Sequence, residues 1–153
     1  MKIEKVPKHI GIILDGNRRF AKRLMMKPWM GHEWGAKKVE KLIEWNVKYK
    51  IKELTLYALS VQNFFSRPQN ELNYLFNLFE KELKNLMNDE KISKHKIRIN
   101  FIGRLNLFDN KLQELMKKHY LICKPLLKEL LDLIQCFHIF KMKIITFLNN
   151  IEL

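Results

Sequence analysis

An apolar run that ends in an acid and two arginines constrains this chain more than any other stretch. Residues 9–14 read HIGIIL and are followed at once by DGNRR at residues 15–19. A short apolar run bounded by turn residues predicts a buried strand. The turn after it offers a carboxylate, a hard ligand for a metal ion, together with the N–H and guanidinium donors that bind a phosphate. We therefore expect the strand to deliver Asp15 to a phosphate and its metal.

Asp15 also has an ordinary interpretation, because Asp-Gly pairs often form turns or cap a helix. The neighbouring Asn17, Arg18 and Arg19 favour the functional interpretation. A cap needs no arginines beside it, and positive charges at the positive end of a helix are unfavourable unless an anion is bound there. The turn is therefore interpreted as an anion site.

Strands and helices alternate along the first three-quarters of the chain. Apolar spacing predicts strands over 8–14, 53–59 and 96–102, helices over 18–24, 35–50, 69–87 and 110–118, and a loop over 60–68. Such alternation is typical of an α/β fold whose parallel sheet is built from right-handed crossovers. Ligands of these sheets collect outside the carboxyl ends of the strands. Asp15, Ser60 and Arg104 are therefore expected along one edge.

Further side chains are candidates for the same site. His32 could donate to a phosphate oxygen or hold a proton, or it could simply cap the helix that follows. Ser60, Asn63 and Arg67 share the predicted loop with two phenylalanines. This loop is either a lid with polar donors for a diphosphate and aromatics for an apolar chain, or a surface loop pinned by aromatic burial. Arg104 either joins the site or merely ends its strand.

The balance of charge indicates an anionic partner. The 153 residues carry 29 Lys and Arg against 16 Asp and Glu, a formal net charge of +13. Nucleic acid, anionic lipid headgroups and phosphorylated small molecules all fit such a charge. The sequence contains no Walker lysine motif, dinucleotide glycine triplet, zinc spacing or nucleophile elbow. These absences argue against the corresponding nucleotide, zinc and hydrolase sites.

The sequence is interpreted as that of a cytoplasmic protein. Charged residues interrupt every window of about 20 residues, so no membrane-spanning helix is expected. Lysines near the start break any secretory signal pattern. Cys123 and Cys136 lack zinc or redox spacing and are expected to be buried, reduced thiols.

Several segments follow one another in a characteristic order. They are HIGIILDGNRRFAK at 9–22, Gly31-His32 with Gly35, LTLYALS at 54–60, Asn63-Phe64, Arg67-Pro68 and IGR at 102–104. Together they resemble the cis-prenyltransferases, the undecaprenyl and polyprenyl diphosphate synthase family, and most of all its archaeal members. The resemblance covers residues 9–118 and implies an α/β fold with a partial parallel sheet and flanking helices.

The resemblance also implies an activity and a set of roles. Members are transferases of isoprenoid biosynthesis that add isopentenyl diphosphate to an allylic diphosphate with magnesium, giving polyprenyl diphosphates. By resemblance, Asp15 would be catalytic and would hold Mg²⁺, and Ser60 and Asn63 would act at the reacting centre. The substrate-binding residues would be Gly16, Asn17, Arg18, Arg19, His32, Ser60, Asn63, Phe64 and Arg67. An apolar groove would hold the growing chain, and Leu75, Phe76 and Phe79 would either line it or belong to the core.

The chain departs from the family pattern in its second half. Pro28 stands where the family has an arginine, and Gln62 stands where it has a glutamate. The family's Asn-Tyr-Gly-Gly-Arg segment is absent, and so is its arginine-rich segment, which binds isopentenyl diphosphate. We therefore expect residues 1–118 to be the N-terminal part of a cis-prenyltransferase-like domain. Residues 119–153 would be a leucine-rich tail outside the family pattern, with a helix over 126–134 and a strand or helix over 142–148.

This division predicts an incomplete site and leaves alternatives open. Without the isopentenyl diphosphate half, the chain is not expected to elongate prenyl chains by itself. It could instead be a non-catalytic partner subunit of a full-length synthase or, ranked last, a basic nucleic-acid-binding module. The family resemblance further implies a homodimer, contact with a membrane through the product, and no nucleic acid.

Overall fold

The computed structural model describes residues 5–95, 97–122 and 140–146, with side chains described for 5–95 and 97–118. Its four strands are β1 (His9–Ile13), β2 (Glu53–Leu59), β3 (Ile97–Ile102) and β4 (Phe140–Thr146). They form a sheet of order β1-β2-β4-β3. The three strands predicted from the first 118 residues are all present, within one or two residues of their expected bounds.

The predicted α/β fold with a partial parallel sheet is confirmed, and the complete sheet is mixed. β1 and β2 pair in parallel, whereas β4 runs antiparallel to both β2 and β3. β1, β2 and β3 therefore point in the same direction, as the alternation of elements predicted. The sequence did not predict that a strand from the tail would lie between β2 and β3.

The register of β4 follows its alternating sequence. Met142 pairs with Leu56 and Phe101, while Lys141 and Lys143 occupy the alternate positions. Because successive residues of a strand belong to opposite faces, this register places the apolar positions of β4 level with buried positions of its neighbours. For residues 142–146 the alternative of a strand or a helix is thus resolved in favour of a strand, while residues 147 and 148 lie outside the described part of the chain. The helix expected over 126–134 lies outside the described residues, as do Cys123 and Cys136.

The described residues form six α-helices and two short 3₁₀ turns, Pro28–Met30 and Leu105–Leu107. The helices are α1 (Asn17–Arg23), α2 (Gly31–Lys48), α3 (Val61–Ser66), α4 (Gln69–Met87), α5 (Glu90–Lys94) and α6 (Asn110–Ile122). α2 begins at Gly31 rather than at Gly35, because the 3₁₀ turn runs directly into it. Among these helices none has both the length and the apolar character needed to cross a membrane.

The loop predicted over residues 60–68 is wrong, because most of it is helix α3. Ser60 is the N-cap of this helix, and its Oγ accepts a hydrogen bond from the backbone N–H of Asn63 at 2.9 Å. Serine at this position satisfies a helix N–H that would otherwise have no partner. Asn, Ser and Pro residues are common in loops, but here Ser60 and Pro68 flank a short helix and Asn63 lies within it.

The hydrophobic core lies between the sheet and helices α4 and α6. Leu54, Leu56 and Leu59 of β2 are almost completely buried, as is Ile99 of β3. The same cluster contains further buried side chains from the helices and from the segment before α6: Ile43, Leu75, Leu83, Ile92, Phe108, Leu112 and Met116. Each fully buried leucine or isoleucine stabilises the fold by about 1.5–3 kcal/mol. This packing fixes the positions at which the strands end.

The carboxyl ends of β1, β2 and β3 meet at one edge of the sheet, because the three strands run in the same direction. Asp15, Ser60 and Arg104 each follow one of these strands. Their predicted placement along a common edge is therefore confirmed.

Candidate functional site

The turn after β1 presents Asp15 in a defined geometry. Gly16 has a φ of 91°, a left-handed conformation that glycine adopts without steric cost. The Asp15 carboxylate accepts a hydrogen bond from the Gly16 N–H at 2.6 Å and another from Arg19 Nη2 at 3.0 Å. Both side chains are largely exposed, so the carboxylate stays accessible to a cation from solvent.

Two glycines of α2 allow α1 to approach closely. A Cβ on Gly31 would lie 2.0 Å from the backbone oxygen of Asn17, and a Cβ on Gly35 would lie 2.6 Å from Asn17 Nδ2. Real Cβ atoms do not approach other atoms so closely. Glycine at these positions therefore brings Asn17 into the crevice between α1 and α2.

A buried carboxylate lies beneath this crevice and gathers three basic side chains. Oε1 of Glu71, on α4, lies 3.5 Å from Arg67 Nε, 3.5 Å from His32 Nε2 and 3.6 Å from Arg18 Nε. Only 1% of the Glu71 side chain is exposed. We call Arg18, His32, Arg67 and Glu71 the Glu71 cluster. Three of these residues were predicted to bind substrate, and the structure brings them together.

Glu71 itself was missed by the sequence analysis. Two signals in the sequence could have identified it. It lies on the face of α4 that also carries buried Leu72 and Leu75, where an acid is out of place. It also follows Arg67 by only four residues, so the two side chains can pair across the beginning of α4. A buried acid with a cation four residues away predicts an internal ion pair.

Protonation within the Glu71 cluster favours a neutral histidine. Burial lowers the pKa of His32, and the positive charges of Arg67 and Arg18 lower it further, against the opposing effect of Glu71. Burial also lowers the pKa of Arg67, which remains a cation at neutral pH. With His32 neutral, two arginines face one carboxylate, so the cluster carries an excess of positive charge. It therefore favours an additional anion.

The neutral His32 ring can serve only one partner through Nε2. This nitrogen lies 3.5 Å from Glu71 Oε1 and 3.5 Å from Arg67 Nη1. It can donate to the carboxylate or accept from the guanidinium, but one nitrogen of a neutral ring cannot do both. In addition, the buried Nε–H of Arg67 has no hydrogen-bond acceptor within the described part of the chain. The cluster thus contains more hydrogen-bond donors than acceptors.

A hydrogen bond between α2 and α4 braces the cluster from the side. Tyr74 Oη donates to Glu33 Oε1 at 2.6 Å. Burial, followed by this hydrogen bond and the negative charge of Glu33, raises the pKa of Tyr74 to about 12. The tyrosine is therefore a neutral donor at any physiological pH. It ties together the two helices that carry His32 and Glu71.

A mainly apolar cavity of about 170 Å³ opens beside the Glu71 cluster. Asn17, His32 and Arg67 contribute polar atoms to its wall. Its remaining lining is chiefly aliphatic and aromatic: Leu14, Ala36, Val39, Ile43, Leu56, Ala58, Leu75, Leu78, Phe79, Leu83 and Leu86. The polar residues Glu40, Glu82, Asn85 and Asp89 also line it. Donors at one place and apolar walls elsewhere suit a ligand with an anionic head and a hydrocarbon tail.

Not every predicted groove residue lines this cavity. Leu75 and Phe79 do, which agrees with one of the two interpretations that the sequence allowed, and both also pack in the core. Phe76 instead stacks on Phe64 with ring centroids 6.1 Å apart and meets Phe108 edge to face at 5.2 Å. Phe76 thus belongs to an aromatic part of the core, which is the other interpretation that the sequence allowed.

The residues around α3 lie apart from the cavity wall. Ser60 caps α3, Asn63 donates its backbone N–H to that cap, and Phe64 is held against Phe76. None of these three is among the residues that line the cavity, and neither is the exposed Arg104. The structure therefore brings Asn17 together with the Glu71 cluster. It does not bring Ser60, Asn63 or Phe64 into the wall of the cavity.

Asp15 is the candidate metal ligand at the edge of the sheet where β1, β2 and β3 end. Within the described ranges, no three His, Cys, Asp or Glu side chains lie close enough to share a metal ion. Mg²⁺ nevertheless needs few protein ligands when it binds with a phosphorylated substrate, since water and phosphate oxygens complete its octahedron. One exposed carboxylate beside a cationic cluster therefore fits a magnesium ion that arrives with a diphosphate.

Comparison with known proteins identifies the family. A sequence profile of the undecaprenyl diphosphate synthase family matches residues 13–137. The chain belongs to this family. The tritrans,polycis-undecaprenyl-diphosphate synthase (geranylgeranyl-diphosphate specific) of Methanopyrus kandleri is 43% identical over 118 residues. The Thermococcus kodakarensis protein of the same name is 44% identical over 107 residues. The predicted resemblance to archaeal members is thus confirmed.

The match covers much of this chain but less than half of these relatives. It spans 77% of the chain and 43% of the Methanopyrus kandleri synthase. For the Thermococcus kodakarensis synthase the corresponding shares are 70% and 40%. The profile match extends past Lys118, so the division between a family-like part and a leucine-rich tail stays a prediction.

A solved structure of the same family type supports the fold. Lavandulyl diphosphate synthase from Lavandula x intermedia, crystallised with dimethylallyl diphosphate, superposes with a TM-score of 0.68 at 27% sequence identity. The superposition covers 77% of this chain and 50% of that one. The undecaprenyl diphosphate synthase family thus accounts for both the sequence and the α/β architecture.

Proposed function

We propose that the chain provides the allylic diphosphate half-site of a cis-prenyl chain-elongating transferase. The complete reaction would join isopentenyl diphosphate to an allylic diphosphate and yield a polyprenyl diphosphate. One observation carries the proposal: the positively charged Glu71 cluster opens directly into a mainly apolar cavity. The names of the relatives supply the chemical class.

The cluster would bind the diphosphate through its unused donors. The Nε–H of Arg67 lacks an acceptor within the described residues, and a phosphate oxygen would provide one. The Arg18 side chain is half exposed and free to turn towards such a group. Guanidinium groups bind phosphate oxygens in pairs and strongly. As the allylic C–O bond breaks, the growing charge on the leaving diphosphate would be stabilised by these donors.

The cavity would hold the hydrocarbon part of the allylic substrate. A dry apolar cavity of about 150 Å³ accommodates benzene, so the 170 Å³ found here suits roughly one five-carbon isoprene unit. α4 extends along this cavity from Leu75 to Leu86. A longer prenyl chain would require side chains towards the carboxyl end of α4 to move apart. We therefore assign the apolar wall to the isoprenoid and the Glu71 cluster to the diphosphate.

Asp15 would hold the magnesium ion of the substrate complex. A bound Mg²⁺ offsets the negative charge of the leaving diphosphate and so makes ionisation easier. Arg19 keeps the Asp15 carboxylate oriented through its 3.0 Å hydrogen bond. Asn17 would add a backbone donor next to it, and Gly16 would shape the turn while its N–H stays bonded to the Asp15 carboxylate. Ser60 and Asn63 would act at the reacting centre and Phe64 would contact the substrate, all three approaching from beside the cavity.

Other parts of the proposal follow from the family. The chain would act in the cytoplasm, would form a homodimer and would touch a membrane through its polyprenyl product. Because these 153 residues do not contain the family's arginine-rich segment, we propose that the isopentenyl diphosphate half-site is incomplete within them. Elongation by this chain alone is then not expected.

Calorimetry with farnesyl thiodiphosphate, which does not ionise readily, tests the half-site. The wild-type chain should bind this ligand in the presence of magnesium. Asp15→Ala should weaken binding by about 10- to 100-fold, the usual effect of removing a charged contact. Glu114→Ala is a matched control, since Glu114 pairs with Lys117 on the surface of α6. Folded wild-type protein that binds no ligand would overturn the proposal.

An elongation assay tests the claim of incompleteness separately. The chain is incubated with farnesyl diphosphate, radiolabelled isopentenyl diphosphate and magnesium. We expect binding without elongation. Products that lengthen with time, and that disappear with Asp15→Ala, would show instead that this chain is a complete transferase.

A further inference from the structure

A second surface of the molecule combines exposed aromatic residues with lysines, away from the cavity wall. On α2, Trp34 and Trp45 are 45% and 52% exposed. Eleven residues separate them, which is three turns of helix, so both lie on one side of α2. Lys38, Lys41 and Lys48 fall within about 60° of the same direction at 100° per residue. This side of α2 is therefore a stripe of indole rings and ammonium groups.

The exposed side of α1 extends the stripe. The Phe20 ring packs edge to face on Trp34, with centroids 5.6 Å apart. Leu24 lies one helical turn after Phe20, and both are more than 40% exposed. Met25, the next residue, is 97% exposed. The name aromatic–basic surface is used below for the following residues: Phe20, Leu24, Met25, Trp34 and Trp45, with Lys38, Lys41 and Lys48.

The backbone of Met25 adopts an energetically unfavourable conformation. It has a φ of 54°, in the left-handed region that favours glycine. The backbone N–H of Met26 bonds to the Ala21 oxygen at 3.0 Å, which closes the end of α1 in the arrangement where glycine is the usual residue. An unbranched apolar side chain therefore projects into solvent at a position that would be easier to build with glycine. Such a side chain is suited to enter an apolar phase.

The charges around this surface are mainly positive. Residues 16–32 contain Arg18, Arg19, Lys22, Arg23 and Lys27 but no Asp or Glu. Lys37 Nζ lies 5.5 Å from the centre of the Trp34 ring. Two acids of α2 adjoin the tryptophans in sequence, and each has a partner on another helix: Glu33 accepts a hydrogen bond from Tyr74 on α4, and Glu44 accepts one from Lys91 on α5. The surface is thus complementary to a negatively charged plane.

We propose that the aromatic–basic surface docks on the face of a membrane that contains anionic phospholipids. Tryptophan is enriched where a membrane meets water, because its ring is apolar and its N–H is polar. Lysine and arginine stems reach past apolar groups to the phosphate level. Leu24 and Met25 favour lipid over nucleic acid, since bases stack on aromatic rings and gain little from aliphatic side chains. The surface would lie in the plane of the membrane rather than cross it.

The position of this surface has a consequence for the proposed function, although the inference does not depend on it. α1 carries Arg18 of the Glu71 cluster at its beginning and Leu24 and Met25 just beyond its end. The two ends of this helix are about 10 Å apart, at 1.5 Å per residue. Docking would therefore hold the cavity within one helix length of the lipid. This contact is made by the protein itself and differs from contact through a bound product.

Vesicle co-sedimentation of the full chain tests the proposal. The probes are vesicles of phosphatidylcholine alone and of phosphatidylcholine and phosphatidylglycerol in a three-to-one ratio. We expect about tenfold stronger binding to the anionic vesicles, lost progressively with salt. Trp34→Ser combined with Met25→Ser should weaken this binding about tenfold. Phe65→Ser, which removes another exposed ring, on α3, should leave it unchanged.

Charge reversal supplies an independent variant that leaves the apolar side chains in place. Lys38→Glu with Lys41→Glu should lower binding to anionic vesicles at least as much as the double serine variant. Lys117→Glu with Lys118→Glu changes the net charge equally on α6 and should have a much smaller effect. Equal losses in the two charge pairs would mean attraction by net charge alone and would overturn the proposal. Tight binding of single-stranded RNA with no sedimentation on vesicles would overturn it as well.

Discussion

Replacement of Glu71 by glutamine removes the charge that holds the Glu71 cluster together while keeping the shape of the side chain. At 3.5 Å and an effective dielectric constant near 20, each arginine attracts the carboxylate by roughly 4–5 kcal/mol before desolvation is counted. Breaking a buried ion pair typically costs 3–5 kcal/mol, because the remaining charge stays buried without its partner. Arg67 is in this situation, since only 11% of its side chain is exposed. Arg18 is half exposed and contributes little.

We therefore expect Glu71→Gln to lower the free energy of unfolding by about 3 kcal/mol, the lower end of that range, because the amide oxygen can still accept one hydrogen bond. For a chain of this size, this corresponds to a fall in the melting temperature of roughly 6–12 °C. Thermal unfolding followed by circular dichroism measures it. Glu80→Gln is the matched control on α4, because Glu80 pairs with Lys84 and Lys111 at the surface. That variant should melt like the wild type.

Ligand binding distinguishes the two effects that Glu71 has on an anion. Removing its negative charge should by itself strengthen the binding of a diphosphate. Releasing Arg67 and His32 from a shared position should weaken it, and we expect this effect to prevail by about tenfold, because oriented donors bind better than mobile ones. Calorimetry at a temperature where both proteins are folded decides the matter. Equal or tighter binding by Glu71→Gln would refute the idea that the carboxylate orders the cluster.

Three further predictions concern the packing and protonation of the site. Gly31→Ala should lower the free energy of unfolding, measured by urea titration, by about 3 kcal/mol, because its Cβ would lie 2.0 Å from the Asn17 backbone oxygen. Gly11→Ala is the control, since a Cβ there meets open space and should cost little stability. Because the pKa of His32 is lowered in the folded chain, the unfolded chain binds a proton at this histidine first as the pH falls. The free energy of unfolding should therefore decrease as the pH drops from about 6.5 through the folded-state pKa. A His32→Gln variant should lack this pH dependence in thermal melts from pH 8 to pH 5. Ser60→Ala should cost about 1 kcal/mol through loss of the α3 cap, and a much larger loss of stability would contradict a simple capping role.

The sequence was sufficient for the elements whose signal is local. Residues 9–15 show an apolar run that ends in Asp-Gly, and the structure has a strand and a left-handed glycine there. α4 was predicted from its apolar stripe with the observed bounds, Gln69–Met87. The common direction of β1, β2 and β3 followed from the alternation of strands and helices. In each case the determining interactions lie within a few residues or follow from general rules of handedness.

The sequence was insufficient where distant segments decide the outcome. The sequence predicts a loop where α3 lies, because Asn, Ser and Pro residues occur both in loops and at helix ends, and only the cap geometry of Ser60 distinguishes the two. Glu71 was overlooked because its partners come from α1, α2 and the end of α3, and periodicity within α4 cannot show them. The antiparallel direction of β4 likewise depends on pairing with two strands far away in the chain.

The two acids at this edge of the sheet occupy opposite environments, and this contrast separates their roles. Asp15 is exposed and shares its carboxylate with a single exposed arginine, a pair that contributes little to stability and is screened by salt. Glu71 is buried and faces three basic side chains, so its removal disturbs the structure whether or not a ligand is present. A substitution of Asp15 should therefore change magnesium-dependent binding without changing the melting temperature, whereas a substitution of Glu71 should change both. If Asp15→Asn lowered the melting temperature as much as Glu71→Gln, the exposed carboxylate would be structural, and the assignment of a metal to it would lose its physical basis.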